Sequence, residues 1–312
     1  MHTPHPDLPH LTGRAILSDG GLETTLVFHD GLDLPAFAAF PLLDSADGRA
    51  RLRHYYQRYF ALAAEAGRGL LLEAPTWRAN PDWGTRLGYD AAGLDRINRE
   101  AIAFLRQLAI DATPLPGPVV VSGCIGPRGD GYTPDSRMTW QQARDYHQPQ
   151  VDSLAAAGAD LVSAYTINTT EEAMGIVAAA HRAAIPCVIS FTVETDGHLP
   201  SGDSLASAIE RVDGTHGGPA YYMINCAHPT HFTHVLADGG HWRGRIRGLR
   251  ANASCLSHAE LDAATELDEG DPTDLAQAYE HLRTHLPALA VIGGCCGTDH
   301  RHVASISAAF NG

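Results

Sequence analysis

Short apolar runs alternate along this chain with longer, Ala-rich segments spotted with charge, the pattern of strands and helices taken in turn around a parallel sheet. The runs Ala15–Asp19, Leu70–Ala74, Val119–Ser122, Asp160–Ala164, Cys187–Thr192, Tyr221–Asn225, Ile246–Asn252 and Leu289–Gly293 predict strands. They make about eight, the number that closes a barrel. Between them, Gly48–Ala66, Leu94–Ile110, Thr139–Ala157 and Glu171–Ala184 are long enough for amphipathic helices. Thr169 or Thr170 before Glu171-Glu172 reads as an N-cap followed by an acidic first turn. No shift of composition divides the chain, so the expectation is an α/β fold: one (β/α)8 TIM barrel over residues 1–312, with 1–13 a flexible tail. The longer connections, Phe28–Pro41, Gly126–Thr139, Val193–Asp203 and Ser254–Pro272, all follow predicted strands. In a (β/α)8 barrel such loops build the active-site face.

Two strands end in thiols. Cys295 and Cys296 follow the run to Gly293-Gly294, and Cys226 follows Tyr221–Asn225. Strands six and eight are two spacings of about 4.8 Å apart, within reach of one metal through side chains. Three thiolates with an open fourth position suit zinc, and a substrate thiol bound there loses its proton and becomes a nucleophile at neutral pH. Packing or a redox pair are the other roles of vicinal cysteines, and a strand-end Gly-Gly also suits a phosphate pocket. Cys124, Cys187 and Cys255 stand singly and read as core or loop residues. Of the 18 histidines most lie in polar stretches; His228, His231 and His234 follow Cys226, yet three cysteines leave no vacancy for them. Trp77, Trp83 and Tyr132 lie in loops after strands two and three and could face a methyl sulfonium or ammonium through cation–π contact, or simply pack.

Composition narrows the class. The chain has 312 residues, 44% of them hydrophobic, enough for a large core. A net charge of −14 without a long basic run disfavours nucleic acid and anionic membranes as partners. No run approaches the roughly 18 apolar residues of a membrane span, and the start, rich in Pro and His, does not read as a signal peptide. Six cysteines in this length are too sparse for a disulfide scaffold, and a reducing cytoplasm fits.

The segments Gly293-Gly294-Cys295-Cys296-Gly297-Thr298, Ile224-Asn225-Cys226-Ala227-His228-Pro229 and Ser18-Asp19-Gly20-Gly21-Leu22 together resemble the homocysteine S-methyltransferase family. That family includes betaine:homocysteine methyltransferase and the homocysteine domain of cobalamin-dependent methionine synthase. The resemblance covers nearly the whole chain and implies a (β/α)8 barrel with zinc held by Cys226, Cys295 and Cys296. It implies that the Asp19-Gly20-Gly21 loop contacts the amino-acid part of homocysteine, with Thr24 retained from the family pattern. Ser122–Pro127 and Ser190–Thr192 with Asp196-Gly197 match weaker family segments. Glu73 resembles the acidic position of the methionine-synthase branch, while Asn225 and Asn252 could orient a ligand or bond a loop.

Three departures stand out. Tyr165 occupies the position of a glutamate that binds the substrate ammonium in many members, and a phenol offers no full negative charge. Glu73, then Glu23 and Glu194, are the acids placed to substitute. Leu22–Leu26 moves an acid to Glu23, and Arg247–Ser254 differs from the common Tyr-Pro-Asn version. The expected activity is zinc-dependent methyl transfer to homocysteine or a related thiol, giving methionine or a similar thioether. Its expected partners are that small thiol and a small onium donor such as S-methylmethionine, S-adenosylmethionine or a betaine, because 312 residues leave no room for an attached cobalamin domain. An external corrinoid protein and a homo-oligomer stay open. The rival readings are a barrel lyase or hydrolase binding phosphate at Gly293-Gly294, and a non-catalytic zinc-braced barrel that binds an amino acid.

Overall fold

The eight predicted strands all form and close in sequence order, β1 (Ile16–Leu17), β2 (Leu70–Glu73), β3 (Val119–Ile125), β4 (Leu161–Ile167), β5 (Cys187–Phe191), β6 (Tyr221–Asn225), β7 (Ile246–Ala251) and β8 (Val291–Gly294). Every pairing is parallel, and the ring closes through Ile16 against Val291 and Leu17 against Ile292. This computed structural model describes residues 8–134, 138–215 and 217–310. After each strand comes at least one helix; the longest are Ala46–Glu65, Ala91–Asp111 and Trp140–Ala156. Helix starts follow the chemistry of the orphan N–H groups. Thr169 Oγ1 accepts from the Glu172 amide at 3.4 Å, Ser45 caps Ala46–Glu65, and Asp299 caps His300–Ala309.

Side chains alternate across each strand, and the alternation separates two cores. Leu17, Leu70, Leu72, Val121, Ile189, Ile224, Leu249 and Ile292 point outward and pack under the helices. Ile16, Leu71, Val120, Leu161, Val188, Tyr221, Met223 and Val291 fill the barrel interior. One step further along the inward positions, toward the C-terminal strand ends, the fill changes from apolar to polar: Glu73, Cys124, Tyr165, Asn225 and Arg250. A packed apolar base therefore supports a polar floor at the mouth.

Of the expected N-terminal tail, residues 1–7 lie outside the described set. Residues 8–11 do not trail free. Pro9–Leu11 makes one 3-10 turn that buries Leu8 and His10, and His10 Nε2 bonds the Tyr221 hydroxyl at 3.0 Å. This turn plugs the end of the barrel remote from the mouth. Among the described residues no helix is long and apolar enough to cross a membrane.

Candidate active site

The polar floor surrounds a cavity of about 420 Å³. Its cysteine wall is built by two strand ends. At β6, Asn225 still points inward, and then Cys226 adopts a left-handed backbone (φ 53°). That conformation costs a residue with a Cβ about 1–2 kcal/mol. Neighbours hold it in place: the Cys226 amide donates to Arg250 O at 3.2 Å, and His258 Nε2 donates to Cys226 O at 2.7 Å. At β8, the Cys295 amide donates to Ala251 O at 2.8 Å, which fixes the start of the Cys-Cys turn.

The three sulfurs of Cys226, Cys295 and Cys296 lie within 4.8 Å of one another, with Cys226 and Cys296 4.0 Å apart. Cys226 and Cys295 are in contact as a disulfide with Cα atoms 5.4 Å apart. Ligand sulfurs of a tetrahedral zinc at about 2.3 Å stand about 3.8 Å from each other, so the cluster fits such an ion once the disulfide is reduced. No histidine or carboxylate joins the cluster among the described residues, so a zinc ion held there would keep one position for a ligand from outside. Burial pushes the Cys296 thiol up to about 11, against a hydrogen bond from Tyr132. Such a thiol ionises at neutral pH only beside a cation.

Beside the cysteines, with Arg250 on β7 between β6 and β8, four side chains form one network. Arg250 Nη2 lies 2.6 Å from Asp19 Oδ1 and 2.9 Å from Gly20 O, and its Nε donates to Gly294 O at 2.9 Å. Its guanidinium stands 4.9 Å over the Tyr165 ring, and the Tyr165 hydroxyl donates to Glu73 Oε1 at 2.7 Å. Burial raises the Glu73 carboxyl to about 7, although Arg250 and the Tyr165 hydrogen bond pull it down. Glu23, facing the same cavity, is also raised to about 7 by burial. Asp19 is raised too, burial outweighing Arg250 and the hydrogen bond from Tyr55.

Asn225 ties the wall to the floor. Its Oδ1 accepts from the Thr166 amide at 2.9 Å and from Ser190 Oγ at 2.6 Å, and its Nδ2 donates to Thr166 Oγ1 at 3.0 Å. Thr166 itself has φ 60°, at the point where the β4–β5 register slips. After β3, Asp130, Gly131 and Tyr132 line the mouth, held where Asn168 Nδ2 donates to Asp130 O and Gly131 O. There Tyr132 stacks on His258 with ring centres 4.0 Å apart.

The expected residues sort clearly. Asp19, Gly20, Gly21, Glu23, Thr24, Glu73, Tyr165, Asn225 and the three cysteines all line the cavity. Asn252 does not; it is buried behind the wall, its amide bonded to Ala227 O at 3.2 Å. Glu194 lies outside as well, 3.3 Å from His258 Nδ1. Close approach explains the glycines. A Cβ on Gly21 would meet Cys295 O at 2.7 Å, and one on Gly293 would meet Ser18 Oγ at 2.0 Å. The Gly294 amide is spent on Asp19 O at 2.9 Å, so Gly293-Gly294 serves to pack two loops and offers no phosphate nest there. His228 instead caps the helix Pro229–Ala237, His231 bonds Cys255 O and His234 bonds Asp196 O.

A model of the family described as homocysteine S-methyltransferase matches residues 16–310. The chain belongs to that family. Among similar proteins, the homocysteine S-methyltransferase of Escherichia coli K12 is 28% identical, over 72% of this chain and 76% of its own length. Homocysteine S-methyltransferase 3 of Zea mays is 29% identical, over 96% of this chain and 90% of its own. The methionine synthase of Mycobacterium leprae matches 97% of this chain at 25% identity, with only 25% of that protein covered. In structure, the E. coli homocysteine methyltransferase MmuM in its metallated form superposes with a TM-score of 0.73, at 20% identity over 95% of this chain and 96% of that one. The same enzyme in its oxidised form also gives 0.73, at 21% identity over 94% and 95%. These superpositions carry the fold.

Two residues of this family member were not singled out from sequence. Arg250 and Arg78 both line the cavity. Arg250 had a signal: an arginine at an inward position of a barrel strand, between Leu249 and Ala251 that face outward. Of the three loop aromatics, Trp77 and Tyr132 line the cavity. Trp83 lies outside the cavity lining, and its ring carries Arg78 at 3.7 Å and Arg86 at 4.4 Å. Trp77 carries Arg78 at 4.5 Å, so these indoles already hold cations of the protein itself.

Proposed function

We propose that this enzyme transfers a methyl group from a small onium donor to the thiol of homocysteine, forming methionine, with Cys226, Cys295 and Cys296 as ligands to zinc. The observation that carries the reading is three sulfurs within 4.8 Å of one another on the wall of a cavity whose floor holds a buried carboxyl network. The names of the similar proteins, homocysteine S-methyltransferase and methionine synthase, support the acceptor and the product. Zinc would supply an acceptor sulfur held as thiolate at neutral pH.

The chain's own groups do the rest. Gly20 and Gly21 form the wall beside Cys295, where the amino-acid end of the acceptor would lie. Glu73, aligned by the Tyr165 hydroxyl, would meet the ammonium group; a cation within about 4–6 Å favours the ionised carboxylate and draws its proton off. The acid of the family's β4 position would thus be replaced by a β2 acid with a phenol as its guide. Arg250 pairs Asp19 and keeps the floor from accumulating negative charge. Tyr132, stacked on His258, lines the cavity where the charged donor would face the thiolate. The acceptor thiol gives its proton to solvent on binding. The sulfur lone pair then forms the new S–CH3 bond as the bond from carbon to the onium atom breaks. Those electrons stay on the leaving atom as a neutral thioether or amine.

Metal analysis and a product assay test this together. Purified under reductant, the protein should hold about one zinc, Cys226→Ser should lose most of it, and homocysteine with a panel of sulfonium and ammonium donors should yield methionine by mass. Absence of zinc, with metal content unmoved by Cys226→Ser, would sink the mechanism; zinc without methionine from any donor would sink the acceptor.

A further inference from the structure

Among the described residues, the guanidinium of Arg78 is salt-bridged to no carboxylate. It lines the cavity, yet among the described residues no hydrogen bond or ion pair reaches it, and its Nε is buried without a partner. Glu23 and Asp130 are near enough to favour its charge but form no salt bridge with it. The contacts it does make are to aromatic faces, Trp83 at 3.7 Å and Trp77 at 4.5 Å. Cation–π contacts of this kind contribute about 0.5–2 kcal/mol, but a ring face supplies no lone pair in the plane of the N–H bonds. Five donors arranged as a fork suit one ligand group best, a carboxylate or a similar oxyanion. Burial lowers its pKa only to about 10, so the group remains a cation at neutral pH.

Position indicates which substrate brings the anion. In the closed strand order, β2, whose loop carries Arg78, stands four places from β6, which Cys226 follows, and two from β8, which Cys295 and Cys296 follow, so that loop faces Cys226 across the mouth. In-line displacement places the leaving atom on the far side of the methyl carbon from the attacking sulfur. With the acceptor sulfur at the cysteine wall, the leaving portion of the donor extends toward the loop after β2. Accepting the methyl-transfer reading above, we infer that Arg78 is a specificity-determining residue that receives the carboxylate of the methyl donor. The site thus selects onium compounds that carry an acid group over those that lack one. The two indoles hold the guanidinium in place; they do not cage the onium charge.

The test pairs wild-type full-length protein, zinc-loaded under reductant, with Arg78→Gln and Arg78→Lys. The probes are S-methylmethionine, S-adenosylmethionine and glycine betaine, and (3-aminopropyl)dimethylsulfonium as the sulfonium without a carboxylate. Initial rates and calorimetric binding are both read. Arg78→Gln should raise the KM and Kd of the accepted carboxylate donor at least tenfold and leave the KM of homocysteine and binding of the decarboxylated sulfonium where they were. Arg78→Lys should recover part of the loss, and matching near-UV spectra of the variants guard against misfolding. Unchanged donor KM and Kd in Arg78→Gln, equal wild-type affinity for the decarboxylated sulfonium, or no binding of any of the three carboxylate donors would overturn the assignment. Arg78-dependent binding without methionine formation would leave Arg78 as the residue that binds the onium compound's carboxylate and remove homocysteine as the acceptor instead.

Discussion

Arg250 can remain charged inside the barrel because Asp19 and two backbone carbonyls surround it. Breaking such a pair from one side leaves an uncompensated buried charge, usually costing about 3–5 kcal/mol. Arg250→Met should therefore lower unfolding stability by about that amount, and Asp19→Asn added to it should recover part of the loss; urea denaturation of the two variants decides this. Glu73 has the opposite character, a carboxyl held up from 4.5 to about 7 by burial. The folded state binds its proton more tightly than the unfolded chain does. Its contribution to stability is therefore full below about pH 4.5 and is lost as pH rises through about 7, a difference of about 3 kcal/mol. Glu73→Gln should be insensitive to this change, so its stability relative to wild type should rise by up to about 3 kcal/mol between about pH 5 and pH 8 in the substrate-free protein. A constant difference across that range, measured by urea unfolding, would show that Glu73 is ionised throughout. Glu73 was legible in the sequence because it ends an apolar strand run. Tyr165 was singled out too, but its pairing with Glu73 was not legible: that hydrogen bond depends on two inward side chains meeting over β3, which no local pattern records.

At the scale of elements, the mouth depends on loops that approach too closely to admit a side chain. Gly21 lies against the Cys295 carbonyl, with Thr24 Oγ1 at 2.3 Å from where a Cβ would stand. Gly21→Ala must push the β1 loop off the β8 loop, which carries two of the three thiols. Expected is a destabilisation of about 1–3 kcal/mol together with weaker zinc retention in chelator competition. Destabilisation with metal retention intact would show that the loops move independently. Strand positions followed from apolar runs to within a few residues, since a buried parallel strand must be apolar on both faces. The ends of β3 and β4 each run three residues past expectation, to Ile125 and Ile167. In β4, Thr166 turns left-handed, the register slips, and pairing with β5 resumes at Ile167. The deviation is stabilised by Asn225 from another strand, so its cause lies 59 residues away in sequence. Loop aromatics left two readings open for a related reason: sequence shows indoles near the mouth, but only packing shows that Arg78 and Arg86 lie against Trp83.

For the molecule as a whole, the thiol cluster links β6 to β8 and closes a long stretch of chain, and it can do so in two chemically exclusive ways. A Cys226–Cys295 disulfide spans a sequence separation of 69 residues. Cross-linking a loop of that length restricts the unfolded chain by up to about 4 kcal/mol. Bound zinc stabilises the folded state instead by mass action, about 2.7 kcal/mol at a free metal concentration a hundredfold above Kd. Both forms should therefore resist urea better than the reduced, metal-free protein. They differ in what the mouth can do, because a sulfur committed to a disulfide cannot ligate metal as a thiolate. Three preparations separate these effects: oxidised, reduced with chelator, and reduced with zinc. The reduced metal-free form should have the lowest urea midpoint, the oxidised form should take up no zinc until reductant is added, and only the reduced zinc form should transfer methyl groups. Cys226→Ser should abolish the difference between the oxidised and the reduced metal-free samples, whereas Cys296→Ser should preserve it while weakening zinc binding. Oxidised protein that binds zinc as tightly as the reduced form would show that Cys226 and Cys295 are not both ligands. The remaining thiol, Cys296, would then need partners outside the cluster.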